Sequence, residues 1–181
     1  DLLCILLLGK NRNGTKFSKE ELDFFLALAS NISMAIRNAQ LFKDLESELD
    51  KKHQLFMRTT VTLVAAIEAK DNYTHGHTTR VTSFSLQIAK RLARKNRKII
   101  NEKFLENLHI ASLLHDVGKI GTPDDILNKE GPLSDWEWTI MKEHTKNGAF
   151  ILSTYPNPMA REIALNHHER WDGTGYPFQL E

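Results

Sequence analysis

Between Gly14 and Gly76 the chain carries neither glycine nor proline. Nothing in that span has to interrupt a helix, and Ser18-Lys19-Glu20-Glu21 supplies a start. The Ser18 hydroxyl can serve the amide of Glu21 while the Glu21 carboxylate reaches back, a capping box. Leu22, Phe25, Leu26, Ala29, Ile32, Ile36 and Ala39 then recur at steps of three and four, the period of one helical face. From Phe42 the stripe runs Phe42, Leu45, Leu49, Lys52, Phe56, and Leu63 and Ile67 resume it. That seam suits a dimerising two-stranded coiled coil, weakened by Lys52. It suits equally an amphipathic helix lying on its own domain. Ahead of it, the apolar run Leu2–Leu8 and Gly9 predict a buried strand, and Asn11 to Gly14 a turn.

After the break at Asp71–Gly76 the pattern stays helical. Val81, Phe84, Ile88 and Leu92 predict the core face of a helix starting near Thr78. Its basic end (Lys90, Arg91, Arg94, Lys95, Arg97, Lys98) reads as a solvated C-terminus favoured by the helix dipole. Asn101–Asp116 follows, with Phe104, Leu105, Leu108, Ala111 and Leu114 on one side. A loop with Pro123 and Pro132 leads to a second capping box, Ser134 to Glu137. The helix beyond carries Trp136, Ile140, Met141, His144 and Ile151, and Pro156 and Pro158 end it. A short helix from about Met159 runs to His167-His168, and 171–177 is a loop. No stretch after residue 10 alternates as a strand, so the expected fold is mainly α, a helical bundle behind one long helix and a single N-terminal strand.

His115-Asp116-Val117-Gly118-Lys119 is where the chemistry concentrates. Neighbours on a helix point about 100° apart, so His115 and Asp116 suit two ions better than one, with the carboxylate free to reach both. Gly118 is expected in the left-handed conformation that closes a helix, leaving Lys119 to turn back toward the same spot. Polar groups at the end of an apolar helix are costly unless something satisfies them. A metal would.

His77, His115, His144, His167 and His168 all fall at element ends. Neutral imidazole is the commonest metal ligand, and His/Asp mixtures favour a hydrolytic pair of metals over structural zinc. His75 and His77 both flank Gly76, and spacing does not choose between them. His53 and His109 read as surface or packing residues. No serine sits on a nucleophile elbow. A net charge of +1 gives no bulk attraction for nucleic acid, and no direct DNA binding is expected. The one cysteine, Cys4, excludes an internal disulfide and fits a reducing, cytoplasmic setting. Leu2–Leu8 is too short to span a bilayer. The chain starts inside a strand-like run and stops just past a turn, so it reads as a piece of a larger protein.

HDVGKIGTPDDILNKEGPLS at 115–134, His144, HHERWDGTGYP at 167–177 and the upstream GHTTRV together closely resemble the HD-GYP family of the HD phosphohydrolase superfamily. The resemblance spans about Thr59 to Glu181 and selects His77 over His75. It implies a bacterial phosphodiesterase that opens cyclic di-GMP to linear pGpG or on to GMP. His77, His115 and Asp116 would hold one ion and Asp116, His144, His167 and His168 the other, with Asp116 bridging. Iron or manganese is implied, the pair lowering the pKa of a shared water for in-line attack on phosphorus. Lys119 would neutralise a phosphate oxygen or assist the leaving 3′ oxygen. Gly173 and Gly175 would let the loop backbone approach, and Trp171 and Tyr176 would offer flat faces to a guanine, unless both rings pack the loop.

Two departures from the family pattern bear on the ion count. Family members complete the first ion with an aspartate well downstream of the GYP loop, a position this sequence does not reach, and Tyr73 stands where some members carry a third-ion glutamate. Two ions at most are expected. The strand, polar loop and start of the long helix resemble the end of a GAF sensory domain. That gives residues 1–40 as the GAF-like remnant, 41–58 as a helical linker and 59–181 as an HD-GYP-like domain truncated at its C-terminus. Two other functions stay open: a non-catalytic output module that binds the dinucleotide or a protein, and a different HD nucleotide phosphohydrolase.

Overall fold

The computed structural model describes residues 5–10, 13–71, 76–95 and 97–180. The described chain is helical, in the order α1 (Lys19–Lys70), α2 (His77–Ala93), α3 (Glu102–Leu114), α4 (Asp124–Leu127), α5 (Asp135–Lys142), α6 (His144–Ile151) and α7 (Pro158–Asn166). Short 3₁₀ segments at Val117–Gly121 and Leu152–Thr154 follow α3 and α6. The mainly α expectation holds. The strand expected at Leu2–Leu8 does not form in its described part: residues 5–8 are irregular and exposed. A strand needs a neighbour to take its backbone hydrogen bonds, and no second strand exists among the described residues. Cys4, Tyr73 and His75 lie outside them. No helix among the described residues is long and apolar enough to cross a membrane.

The contacts divide the chain into two units, 1–56 and 57–181. In the first, the Ser18 box starts α1 as expected, with Glu21 N donating to Ser18 Oγ at 3.2 Å and Ser18 N to Glu21 Oε2 at 2.7 Å. Phe42, Leu45, Leu49 and Phe56 are all exposed.

The second unit holds the core: Val64, Ile67, Ala111, Leu114, Val117, Leu152, Ala160 and Ala164. Three of these are alanines with no exposed surface, and small side chains there let α3 and α7 pack closely. α2 lies against α3, but not by the face its sequence advertises. Phe84, Ile88 and Leu92 are exposed, while Thr78, Thr82 and Ala89 are buried. The small residues make the closer helix contact, and the anchoring of Thr78 N on Glu68 Oε1 at 3.0 Å fixes that rotation.

The helix expected to run unbroken from Ser134 divides at Glu143 into α5 and α6. The cause is local. His144 Nδ1 donates to the Met141 carbonyl at 2.7 Å and Thr145 Oγ1 to that of Lys142 at 3.0 Å, so side chains take the carbonyls that would have continued α5. The Ser134 capping box is formed. Pro158 opens α7 rather than closing its predecessor, being in the first turn where a missing N–H costs nothing.

Candidate metal centre

α3 delivers His115 and Asp116 from its C-terminal end, α6 begins on His144, α7 ends into His167 and His168, and α2 begins on His77. Four helix ends therefore converge. The candidate ligand atoms fall into two groups, each within 4.8 Å: Asp116, His144, His167 and His168 in one, His77, His115 and Asp116 in the other. Asp116 belongs to both. Its Oδ1 faces His144 Nε2 at 3.6 Å and His167 Nε2 at 3.3 Å, and its Oδ2 faces His115 Nε2 at 3.5 Å. His53 and His109 are in neither group.

Hydrogen bonds on the far side of three rings settle their tautomers. A carbonyl only accepts, so His115 Nδ1 donates to Ser112 O at 2.7 Å, His144 Nδ1 to Met141 O at 2.7 Å and His167 Nδ1 to Ala164 O at 3.0 Å. In the neutral ring that leaves each Nε2 as a bare lone pair aimed at Asp116, the arrangement in which backbone partners orient metal-binding imidazoles. Burial lowers the pKa of His115 and of His144. Burial first, then the neighbouring His167 and His144, brings His168 down to about 4. Burial alone would raise Asp116, but contact with His167, the adjoining His115 and the Lys119 ammonium outweigh it and hold the carboxyl well below its usual range. Neutral imidazoles around an ionised carboxylate are the donor set a divalent cation requires, and this set fits one.

Lys119 reaches the centre from the 3₁₀ segment. Its Nζ lies 2.8 Å from Asp116 Oδ2 and 3.0 Å from Asp71 Oδ2. Burial works against its charge, and the two carboxylates more than offset that, raising its pKa. Asp71 is almost fully buried, and its place in a helix break gives no local sign of this role. Its neighbour Lys70 donates to the carbonyls of Lys119, Ile120 and Thr122 at 3.4, 3.0 and 2.5 Å. The last turn of α1 thus holds the segment that carries Lys119.

Gly118 is not left-handed, contrary to expectation; the positive-φ glycines are 14, 76, 131 and 173. Its role is close approach, because a Cβ there would stand 1.9 Å from His144 O and 2.4 Å from Gly148 N. The glycine lets the motif pack directly on the first turn of α6.

The 171–177 loop folds on itself. Gly173 takes φ 69°, and a Cβ on Gly175 would meet Arg170 N at 2.3 Å. Glu169, given no role by sequence, accepts from Phe178 N at 2.6 Å and Leu180 N at 3.0 Å and so ties down the segment after the loop. Tyr176 stacks on His168, centroids 4.6 Å apart and planes 17° apart. Burial, with the charge of Asp116, pushes its hydroxyl up to about 12. Trp171 is fully exposed. The two rings therefore part ways: Tyr176 braces a candidate ligand and Trp171 stands clear.

Comparison with known proteins agrees with this geometry. The family described as HD domain matches residues 74–180. A cyclic di-GMP phosphodiesterase of Vibrio cholerae is 36% identical over 159 residues, 82% of this chain and 32% of that protein. One of Thermotoga maritima is 47% identical over 117 residues, 63% of this chain and 30% of that protein. A 3'3'-cGAMP-specific phosphodiesterase of Vibrio cholerae is 32% identical over 180 residues, 98% of this chain and 31% of that protein. The chain spans about a third of the length of these curated relatives. With its paired histidine sets, its shared aspartate and the GYP loop that follows them, the chain belongs to the HD domain family, in its HD-GYP branch.

Proposed function

We propose that this chain forms the catalytic centre of a metal-dependent phosphodiesterase that hydrolyses cyclic di-GMP to linear pGpG or GMP. One observation carries the reading: the two oxygens of Asp116 face two different sets of imidazole nitrogens. That is how a carboxylate bridges two ions, and paired ions suit in-line displacement at phosphorus. The relatives' names support the cyclic dinucleotide class, since they cover both cyclic di-GMP and 3'3'-cGAMP.

In this reading His77, His115 and Asp116 hold one ion and Asp116, His144, His167 and His168 the other. Nitrogen- and oxygen-rich ligation suits iron or manganese. When bound, the ions supply positive charge for phosphate oxygens and a water acidic enough to ionise near neutral pH. The chain's own residues do the rest. The carbonyls of 112, 141 and 164 hold the Nδ1 sides of His115, His144 and His167 and so turn each Nε2 inward. Lys119, kept as an ammonium between two carboxylates, would neutralise a non-bridging phosphate oxygen or donate toward the departing 3′ oxygen. Trp171 offers a guanine its open face, and Gly173 and Gly175 shape the loop beside it.

The same reading gives α1 a second copy as partner along Phe42, Leu45, Leu49 and Phe56, and residues 1–40 a place at the end of a GAF-like sensor. Chromatography of cyclic di-GMP incubated with iron- or manganese-loaded protein tests the activity. Linear product is expected, and its absence with both metals would overturn the proposal. Nucleotide binding without turnover would make the chain a receptor module instead.

A further inference from the structure

Lys142 ends α5 with its ammonium 5.7 Å from the ring centre of Tyr176 and 5.8 Å from that of Trp138. It is half-buried, and among the described residues no carboxylate pairs with it. The other half-buried lysines of this unit do have such partners: Lys70 with Asp124, Lys119 with Asp71 and Lys129 with Glu137. A half-buried ammonium resting only on aromatic faces has its hydrogen-bonding capacity left over. It opens on a groove of about 450 Å³ lined by Trp138, Lys142, His167, His168, Arg170 and Tyr176. That volume is in the range of small-molecule sites, about 300–1,000 Å³. Its lining therefore brings two of the candidate metal ligands together with two cations and two aromatic rings, and the one carboxylate among them, Glu169, is already taken by the amides of Phe178 and Leu180.

We infer that this groove is a second subsite, in which Lys142 takes the phosphodiester that is not being cut and Trp138 stacks on the base beside it. The inference rests on the proposed dinucleotide reading and extends it. A cyclic dinucleotide has two phosphates, and a centre built on Asp116 engages one. The other needs a cation away from the ions, and Lys142 is the partly desolvated ammonium whose charge no protein carboxylate has already taken. Trp138 remains 44% exposed, so its indole has surface left for a base, the sequence-tolerant contact aromatic platforms make.

The test compares wild type with Lys142→Met, which keeps the apolar stem over both rings, and Lys142→Arg, which keeps the charge. Binding of cyclic di-GMP to metal-free protein is measured by calorimetry. Turnover of cyclic di-GMP and of bis(p-nitrophenyl) phosphate, which lacks a second phosphate, is measured on metal-loaded protein. Lys142→Met is expected to weaken dinucleotide binding about ten- to a hundredfold. Its loss on cyclic di-GMP is expected in KM rather than kcat and should exceed the loss on the small diester by about tenfold or more. Lys142→Arg should restore most of the affinity. Wild-type binding by Lys142→Met, or equal losses on both substrates, would overturn the subsite. If wild type turned over neither substrate but bound the dinucleotide through Lys142, the enzyme reading would fall and the subsite would stand.

Discussion

The Nε2 atoms of His144 and His167 face each other at 3.4 Å, each with its Nδ1 proton committed to a helix carbonyl. Both Nε2 atoms converge on one point beside Asp116 Oδ1, where a cation would draw on all three atoms. Metal content should follow the two ligand sets. Wild type saturated with manganese is expected to hold two ions per chain by plasma mass spectrometry, His168→Ala one, and Asp116→Ala fewer than one. Equal content in all three would remove the assignment of these side chains.

Asp71 and Lys119 make a second prediction. Asp71→Asn keeps shape but removes one of the two carboxylates that hold the ammonium. The expected result is a fall in kcat of roughly tenfold, the equivalent of about 1.4 kcal/mol, with KM within about twofold. Unfolding by urea should show a loss of about 1–3 kcal/mol, the cost of leaving a largely buried charge short of a partner. An unchanged kcat would mean that Asp71 serves packing alone.

Backbone proximity gives the third. Gly118→Ala puts a methyl group on the His144 carbonyl and the Gly148 amide, both of them backbone and unable to swing aside. A destabilisation of about 1–3 kcal/mol is expected. Gly121→Ala meets first a flexible side-chain atom, Asn147 Nδ2 at 3.2 Å, and should change stability by less than about 0.5 kcal/mol. Similar urea midpoints for the two variants would contradict the account of Gly118.

The fourth concerns acid. His168 is held at about 4 against an ordinary 6.5, and His115 and His144 are lowered in the same direction. The unfolded chain therefore takes up protons before the fold does. Stability of the metal-free protein should be at its plateau above about pH 6.5 and fall as pH drops from there toward 4. His168→Gln should reduce that slope. A flat profile across the window would count against the buried, neutral cluster.

Much of the centre was legible in the sequence because its residue types have few other uses at helix ends. Both capping boxes, the end of α1 and the chemical identity of all six candidate ligands needed only local spacing and motif. What could not be read was relational. The rotation of α2, which exposes Phe84, Ile88 and Leu92, depends on which face fits α3. Asp71 looked like a helix breaker because its partner is 48 positions away. Gly118 looked like a helix cap because the carbonyl it must approach belongs to α6. Lys142 carries no local signal, because only the fold brings Trp138 and Tyr176 beneath it.

The shared carboxylate is best tested by electron paramagnetic resonance of protein loaded with two equivalents of manganese(II). If Asp116 joins both sites, the spins couple through its carboxylate and the spectrum is broadened and exchange-split, reverting to an isolated six-line signal in His168→Ala. An uncoupled six-line signal from fully loaded wild type would contradict the bridge.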